Sequence, residues 1–166
     1  MGGRPEGCHR LRMLINILSV GSPKDTCIRE LTEGYLERIR RYCPVALKAV
    51  KQEALVPGAA ADALKKEAQK LISLMDGCYN MVLDKDGEGM NSESFANFLN
   101  KRIMSGVKVM NIIIGGPMGI DSSVKQRAEK TMALSRMTFP HELAMVIVAE
   151  QVYRAFAILH GLPYHK

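Results

Sequence analysis

The sequence predicts an α/β protein, a largely parallel sheet with helices on both faces. Three observations carry that prediction. Short apolar runs of strand length alternate with longer stretches of helical period along the whole chain. The most strand-like run, residues 107–114 (VKVMNIII), feeds directly into a glycine-rich turn and then a capped helix. The 166 residues make one domain at roughly 150 residues each. A domain of that size buries about 70% of its unfolded surface without help from a disulfide or metal.

The elements follow in order. Residues 13–20 (MLINILSV) form a first strand, which Gly21, Ser22 and Pro23 break. Asp25 or Thr26 caps a helix to about Tyr42, with Ile28, Leu31, Tyr35, Leu36 and Ile39 on one face, and Pro44 ends it. Residues 45–53 alternate loosely, as a half-exposed strand does. Pro57 and Gly58 turn the chain into an Ala-, Leu- and Lys-rich helix over residues 60–75. Residues 79–83 make a short strand that runs into a polar loop, 84–89 (DKDGEG). Asn91 or Ser92 caps a helix over 92–105 that Gly106 closes. After the 107–114 strand, Asp121 caps a helix to about Lys130, and residues 132–139 read as a strand or extended loop. Pro140 suits the first turn of a last helix, which ends at His160 and Gly161 before a five-residue tail, expected to fray.

Composition excludes several classes. With 47% hydrophobic and 24% charged residues, wholesale disorder is ruled out. The formal charge of +6 attracts a polyanion such as RNA, yet fits an ordinary basic protein equally well. Cys8, Cys27, Cys43 and Cys78 lack the paired spacing of a zinc site and read as reduced thiols of a cytoplasmic protein. Residues 143–159 carry Glu150 and Arg154 and fall short of the roughly 18 uncharged residues a membrane span needs. Arg4, Arg10 and Arg12 before an apolar run imitate a signal peptide. However, the run is short, Asn16 interrupts it, and GSPKD offers no A-x-A-like site. Residues 1–12 therefore read as a disordered leader, with Met13 as an alternative start.

Chemistry concentrates in a few places. In parallel sheets ligands bind beyond the carboxyl ends of strands, where Gly115, Gly116, Pro117, Met118 and Gly119 lie. Their glycines permit close backbone approach to a ligand, or simply a tight turn. The loop is neither G-x-G-x-x-G nor a P-loop. Leu134, Ser135, Arg136, Met137, Thr138, Phe139 and Pro140 deliver the chain to a helix start, where free N–H groups point outward. Asp84, Asp86 and Glu88 alternate without the EF-hand order, and a solvated turn is the expectation there. Glu150 and Arg154 stand at i, i+4, either as a buried structural pair or with Arg154 as an anion or carbonyl anchor.

Taken together, IIIGGPMG (112–119), LSRMTFPHEL (134–143), AEQVYRA (149–155) and PYHK (163–166) stand in the order and spacing of one family. From about Met13 to Lys166 the sequence closely resembles the large-subunit ribosomal RNA methyltransferase H family of the SPOUT superfamily. That resemblance implies a single SPOUT domain over residues 13–166 with a C-terminal trefoil knot, a topology very rare among proteins. It implies methyl transfer from S-adenosylmethionine, without a metal, to N3 of a pseudouridine in 23S rRNA of the assembled ribosome. A homodimer with its active site at the subunit interface is implied as well. Leu83, Gly115, Gly116 and the seven residues Leu134 to Pro140 match cofactor-binding positions. Arg154, Tyr164 and His165 match residues near the target base, with Lys166 and Arg136 on the RNA. Two departures stand out. Met145 replaces the family's usual Arg, a charge whose loss is expected to weaken RNA or dimer contacts unless Arg136 compensates. Met118 fills a loop position more often polar, at the expected edge of the cofactor pocket. The alternatives are a non-catalytic RNA-binding or ribosome-assembly protein of the same fold, and an unrelated nucleotide-binding enzyme, which no complete phosphate motif supports.

Overall fold

The structure is a computed structural model that describes residues 13–165 apart from 55 and 57, with the backbone alone at 165. The expected leader, Pro57 of the expected turn, the His165 side chain and Lys166 lie outside the described residues. In chain order the elements are β1 (Leu14–Val20), α1 (Thr26–Ile39), β2 (Val45–Val50), α2 (Ala60–Ile72), β3 (Tyr79–Gly89), α3 (Ser92–Met104), β4 (Val109–Ile114), α4 (Ser122–Gln126), β5 (Lys130–Ala133) and α5 (His141–Leu159), followed by a 3-10 turn, Pro163–His165. One sheet of order β2-β1-β4-β3-β5 contains all five strands, and every neighbouring pair is parallel. The α/β expectation holds.

Strand alternation splits the interior into two cores. Ile15 and Ile17 of β1 and Met110, Ile112 and Ile114 of β4 point into a large core with α1, α3 and α5. Leu18, Val20, Val82 and Ile113 point the other way, against Leu71 of α2 and Val124 of α4. The sheet is thus buried on both faces, which is why its strands read as nearly continuous apolar runs.

One polar line crosses the smaller core. Asn16, Asn111 and Asn80 are register partners on three adjacent strands. Asn16 Nδ2 donates to Asn111 Oδ1 at 2.9 Å, and Asn111 Nδ2 donates to Asn80 Oδ1 at 2.9 Å and to the Leu74 carbonyl at 2.9 Å. Removing the middle member orphans a buried group on each side, at roughly 1–3 kcal/mol apiece. Asn111→Leu is therefore expected to destabilise the protein by about 3 kcal/mol in urea unfolding. A loss below about 1 kcal/mol would show that the ladder is energetically idle.

The expected caps form: Asp25, Asn91 and Asp121 accept from Ile28 N, Ser94 N and Ser123 N. Four expectations need correction. The loop expected at 84–89 belongs to β3, because β5 pairs with both ends of it: Leu83 and Glu88 each face Met132, and the residues between bulge outward. The fourth helix ends at Gln126, well before Lys130, because Lys130 is already in the sheet. Glu129 clamps Asn80 there, donating its N–H to the Asn80 carbonyl at 3.0 Å and accepting the Asn80 N–H at 2.6 Å. Pro140 stands at the N-cap of α5 rather than in its first turn. The tail is not frayed: it folds into the 3-10 turn, with the Tyr164 ring 4.7 Å from that of Tyr153.

Candidate active site

A cleft of about 580 Å³ opens at the carboxyl ends of β3, β4 and β5, within the range of small-ligand sites. Leu83 and Ile114 form its floor, the loop after β4 one wall, and the segment after β5 the other. Of the expected cofactor positions, Leu83, Gly115, Gly116, Leu134, Ser135, Met137, Thr138, Phe139 and Pro140 all line it. Arg136 does not. It is exposed and borders an adjoining depression with Lys85, Asp86 and Asn91.

The glycine loop owes its shape to its own packing. Gly116 and Gly119 pair as an antiparallel bridge, and Gly119 adopts φ +83°. A Cβ at Gly115 would lie 2.6 Å from the Gly119 carbonyl oxygen, so the chain doubles back there with no room for a side chain. The tight-turn account of these glycines is correct, and the turn leaves its backbone on the cleft. Met118 is not among the lining residues, so its substitution does not set the pocket edge.

Segment 134–140 lacks regular structure. Among the described residues, no backbone–backbone hydrogen bond uses the N–H of Ser135, Arg136, Thr138 or Phe139. Apolar walls with uncommitted backbone donors fit a nucleoside-type ligand, which needs flat apolar contact and a few directed hydrogen bonds.

Asp84 was expected in a solvated turn, but its side chain is only 14% exposed; it lines the cleft and pairs with Lys125 of α4. Burial alone would raise its carboxyl. The Lys125 hydrogen bond, the Asp86 N–H and the charges of Lys125 and Lys85 outweigh that and hold it below the usual carboxylate value.

Arg154 and Tyr164 form a separate cluster. Arg154 Nε donates to Glu150 Oε1 at 2.8 Å and Nη2 to the same oxygen at 2.5 Å. The Tyr164 hydroxyl donates to that oxygen at 3.2 Å and sits 3.4 Å from the Tyr35 hydroxyl. Tyr35, which the sequence placed merely on an apolar helix face, thus belongs to this cluster. The structural pair expected of Glu150 and Arg154 does form, but it leaves the Nη1 edge of the guanidinium without a partner among the described residues. The Glu150 hydrogen bond pushes the Arg154 pKa still higher, so its charge is permanent. Burial, the Tyr35 hydroxyl and the Glu150 charge push the Tyr164 phenol up, which makes it a hydrogen-bond donor and a poor proton acceptor.

The two groups do not meet within one chain. Ala144 lines the cleft, and Arg154 follows ten residues later on α5, about 15 Å along the helix axis at 1.5 Å per residue. Met145 is fully buried in the larger core, so this position faces the interior of its own chain. Among the described residues no helix is long and apolar enough to cross a membrane, and no three His, Cys, Asp or Glu side chains gather to hold a metal ion.

The family described as "Predicted SPOUT methyltransferase" matches residues 13–165. A ribosomal RNA large subunit methyltransferase H of Syntrophobacter fumaroxidans is 39% identical over 157 residues, 93% of this chain and 100% of the relative. The protein of the same name from Nitratidesulfovibrio vulgaris is 40% identical, covering 91% of this chain and 97% of its own. Among solved structures, TrmJ from Z. mobilis ZM4 aligns over 86% of this chain and 68% of its own, with 12% identity and a TM-score of 0.47.

Proposed function

The chain belongs to the SPOUT methyltransferase family, and from that premise we propose that it methylates N3 of a pseudouridine in 23S rRNA, on the assembled ribosome, using S-adenosylmethionine. The observation that carries this reading is the cleft at the ends of β3, β4 and β5, where the glycine loop and segment 134–140 meet. When bound, the cofactor supplies an electrophilic methyl group on a sulfonium. Leu83, Leu134 and Phe139 offer it apolar contact, and the backbone of Gly115, Gly116 and Ser135 to Phe139 offers hydrogen bonds.

Pseudouridine N3 carries a proton and attacks poorly until that proton leaves. In this reading Arg154 turns its open Nη1 edge to the carbonyl oxygens flanking N3 and stabilises the anion as it forms. In the same reading His165 takes the proton, since a neutral imidazole can accept one. Tyr164 donates a hydrogen bond to the base, and Lys166 and Arg136 hold phosphates. The roughly 15 Å of helix that separates Ala144 from Arg154 supports a homodimer in which the tail of one protomer completes the cleft of its partner. A C-terminal trefoil knot and a cytoplasmic location belong to the same reading.

Nucleoside mass spectrometry of 23S rRNA from cells with and without the gene tests the function. N3-methylpseudouridine is expected to vanish in the deletion and return with the plasmid-borne gene. Unchanged levels would refute the assignment.

A further inference from the structure

One ion pair joins two elements that line the cleft. Asp84 sits on the outward bulge of β3 and Lys125 on α4, and both line the cavity. The neighbouring Lys85–Asp86 pair is 60% and 76% exposed, against 37% and 14% for Lys125 and Asp84. Water therefore screens the first pair much more than the second. Asp84 Oδ1 is held by the Asp86 N–H at 3.0 Å, while Oδ2 receives the Lys125 ammonium.

Resting on the reading of this cleft as a cofactor site, we propose that Asp84 and Lys125 together receive the amino-acid end of S-adenosylmethionine. Asp84 takes its α-ammonium and Lys125 its α-carboxylate. The lysine ammonium already on Oδ2 is of the same chemical class as the α-ammonium, so the carboxylate is placed to accept a primary ammonium. The zwitterion carries the two complementary charges one carbon apart. Its insertion exchanges one ion pair for two and adds no net charge to the cleft. The apolar floor of Leu83 and Ile114 offers such a zwitterion nothing, which leaves it for the uncharged part of the ligand.

Calorimetry on wild type, Asp84→Asn and Lys125→Met with three ligands tests this. S-adenosylhomocysteine carries both charges, its decarboxylated analogue (the aminopropyl thioether of adenosine) only the ammonium, and 5′-methylthioadenosine neither. Asp84→Asn should weaken the first two by about tenfold, the scale of one charged hydrogen bond. Lys125→Met should weaken only the first, by a similar factor. Methylthioadenosine should bind all three proteins alike. If it weakens in step with S-adenosylhomocysteine, the pair merely braces the wall and the inference is wrong. If wild type binds S-adenosylhomocysteine and both variants match it within twofold, the inference fails and the cofactor reading stands. If wild type binds none of the three, both fall. Should Asp84→Asn not fold, the contrast between the two charged ligands on Lys125→Met decides alone.

Discussion

Arg154→Ala is expected to slow methyl transfer by about 10²–10³-fold in single-turnover assays at saturating cofactor and ribosome, the usual cost of losing one preorganised donor to a developing oxyanion. Affinity for S-adenosylhomocysteine should stay within about threefold, because the guanidinium stands two to three helical turns from the cleft of its own chain. The geometry allows both jobs: Glu150 grips the Nε and Nη2 edge, and Nη1 has no hydrogen-bond partner among the described residues. If the variant loses its dimer or its melting transition instead, the pair is structural and the catalytic role falls. His165→Ala, run beside it, isolates proton removal. A rate within about threefold of wild type would end the general-base assignment, since such catalysis typically contributes 10²–10⁴-fold.

Gly115→Ala should weaken cofactor binding tenfold or more even though it adds only one methyl group. The new Cβ would meet the Gly119 carbonyl oxygen at 2.6 Å and its carbonyl carbon at 2.8 Å. Both are backbone atoms, so relief requires the hairpin itself to open, at a cost of about 1–3 kcal/mol in stability. A wall displaced by about 1 Å mispositions everything bound against it. At least tenfold weaker S-adenosylhomocysteine binding is expected by calorimetry. Gly34→Ala serves as control: a Cβ there touches nothing within 4 Å, and in mid-helix it should be neutral or stabilising by up to about 1 kcal/mol. Wild-type affinity in Gly115→Ala would contradict the self-packed loop.

Local chemistry was legible in the chain and long-range pairing was not. Asp25, Asn91 and Asp121 could be read as caps because a cap acts on an N–H two or three residues away. The loop after β4 and segment 134–140 stood out through composition, and the structure puts them in one cleft. By contrast, DKDGEG reads as a solvated turn. It joins the sheet only because Met132, more than forty residues later, pairs with Leu83 just before it and with Glu88 inside it. Asp84 was misjudged for the same reason, since its partner Lys125 comes from another element. The asparagine ladder did leave a trace: an Asn sits inside each of the runs LINIL, YNMV and VMNIII. One such Asn looks like an interruption, whereas three at matching depth are a cross-strand line. Tyr35 left no trace, because only the folded tail brings Tyr164 to it.

The stretch from Pro140 to Tyr164 behaves as a measuring rod. The first turn of α5 is fixed at the cleft by Ala144, and Glu150 and Arg154 follow further along, with continuous helix between them. Inserting or deleting a single residue in that span would swing the distal end by about 100° and shift it by 1.5 Å per residue. The guanidinium would then aim elsewhere on the molecule, even with every side chain otherwise preserved. The residue count between the cleft and the guanidinium therefore sets the aim of Arg154 as strictly as its identity does.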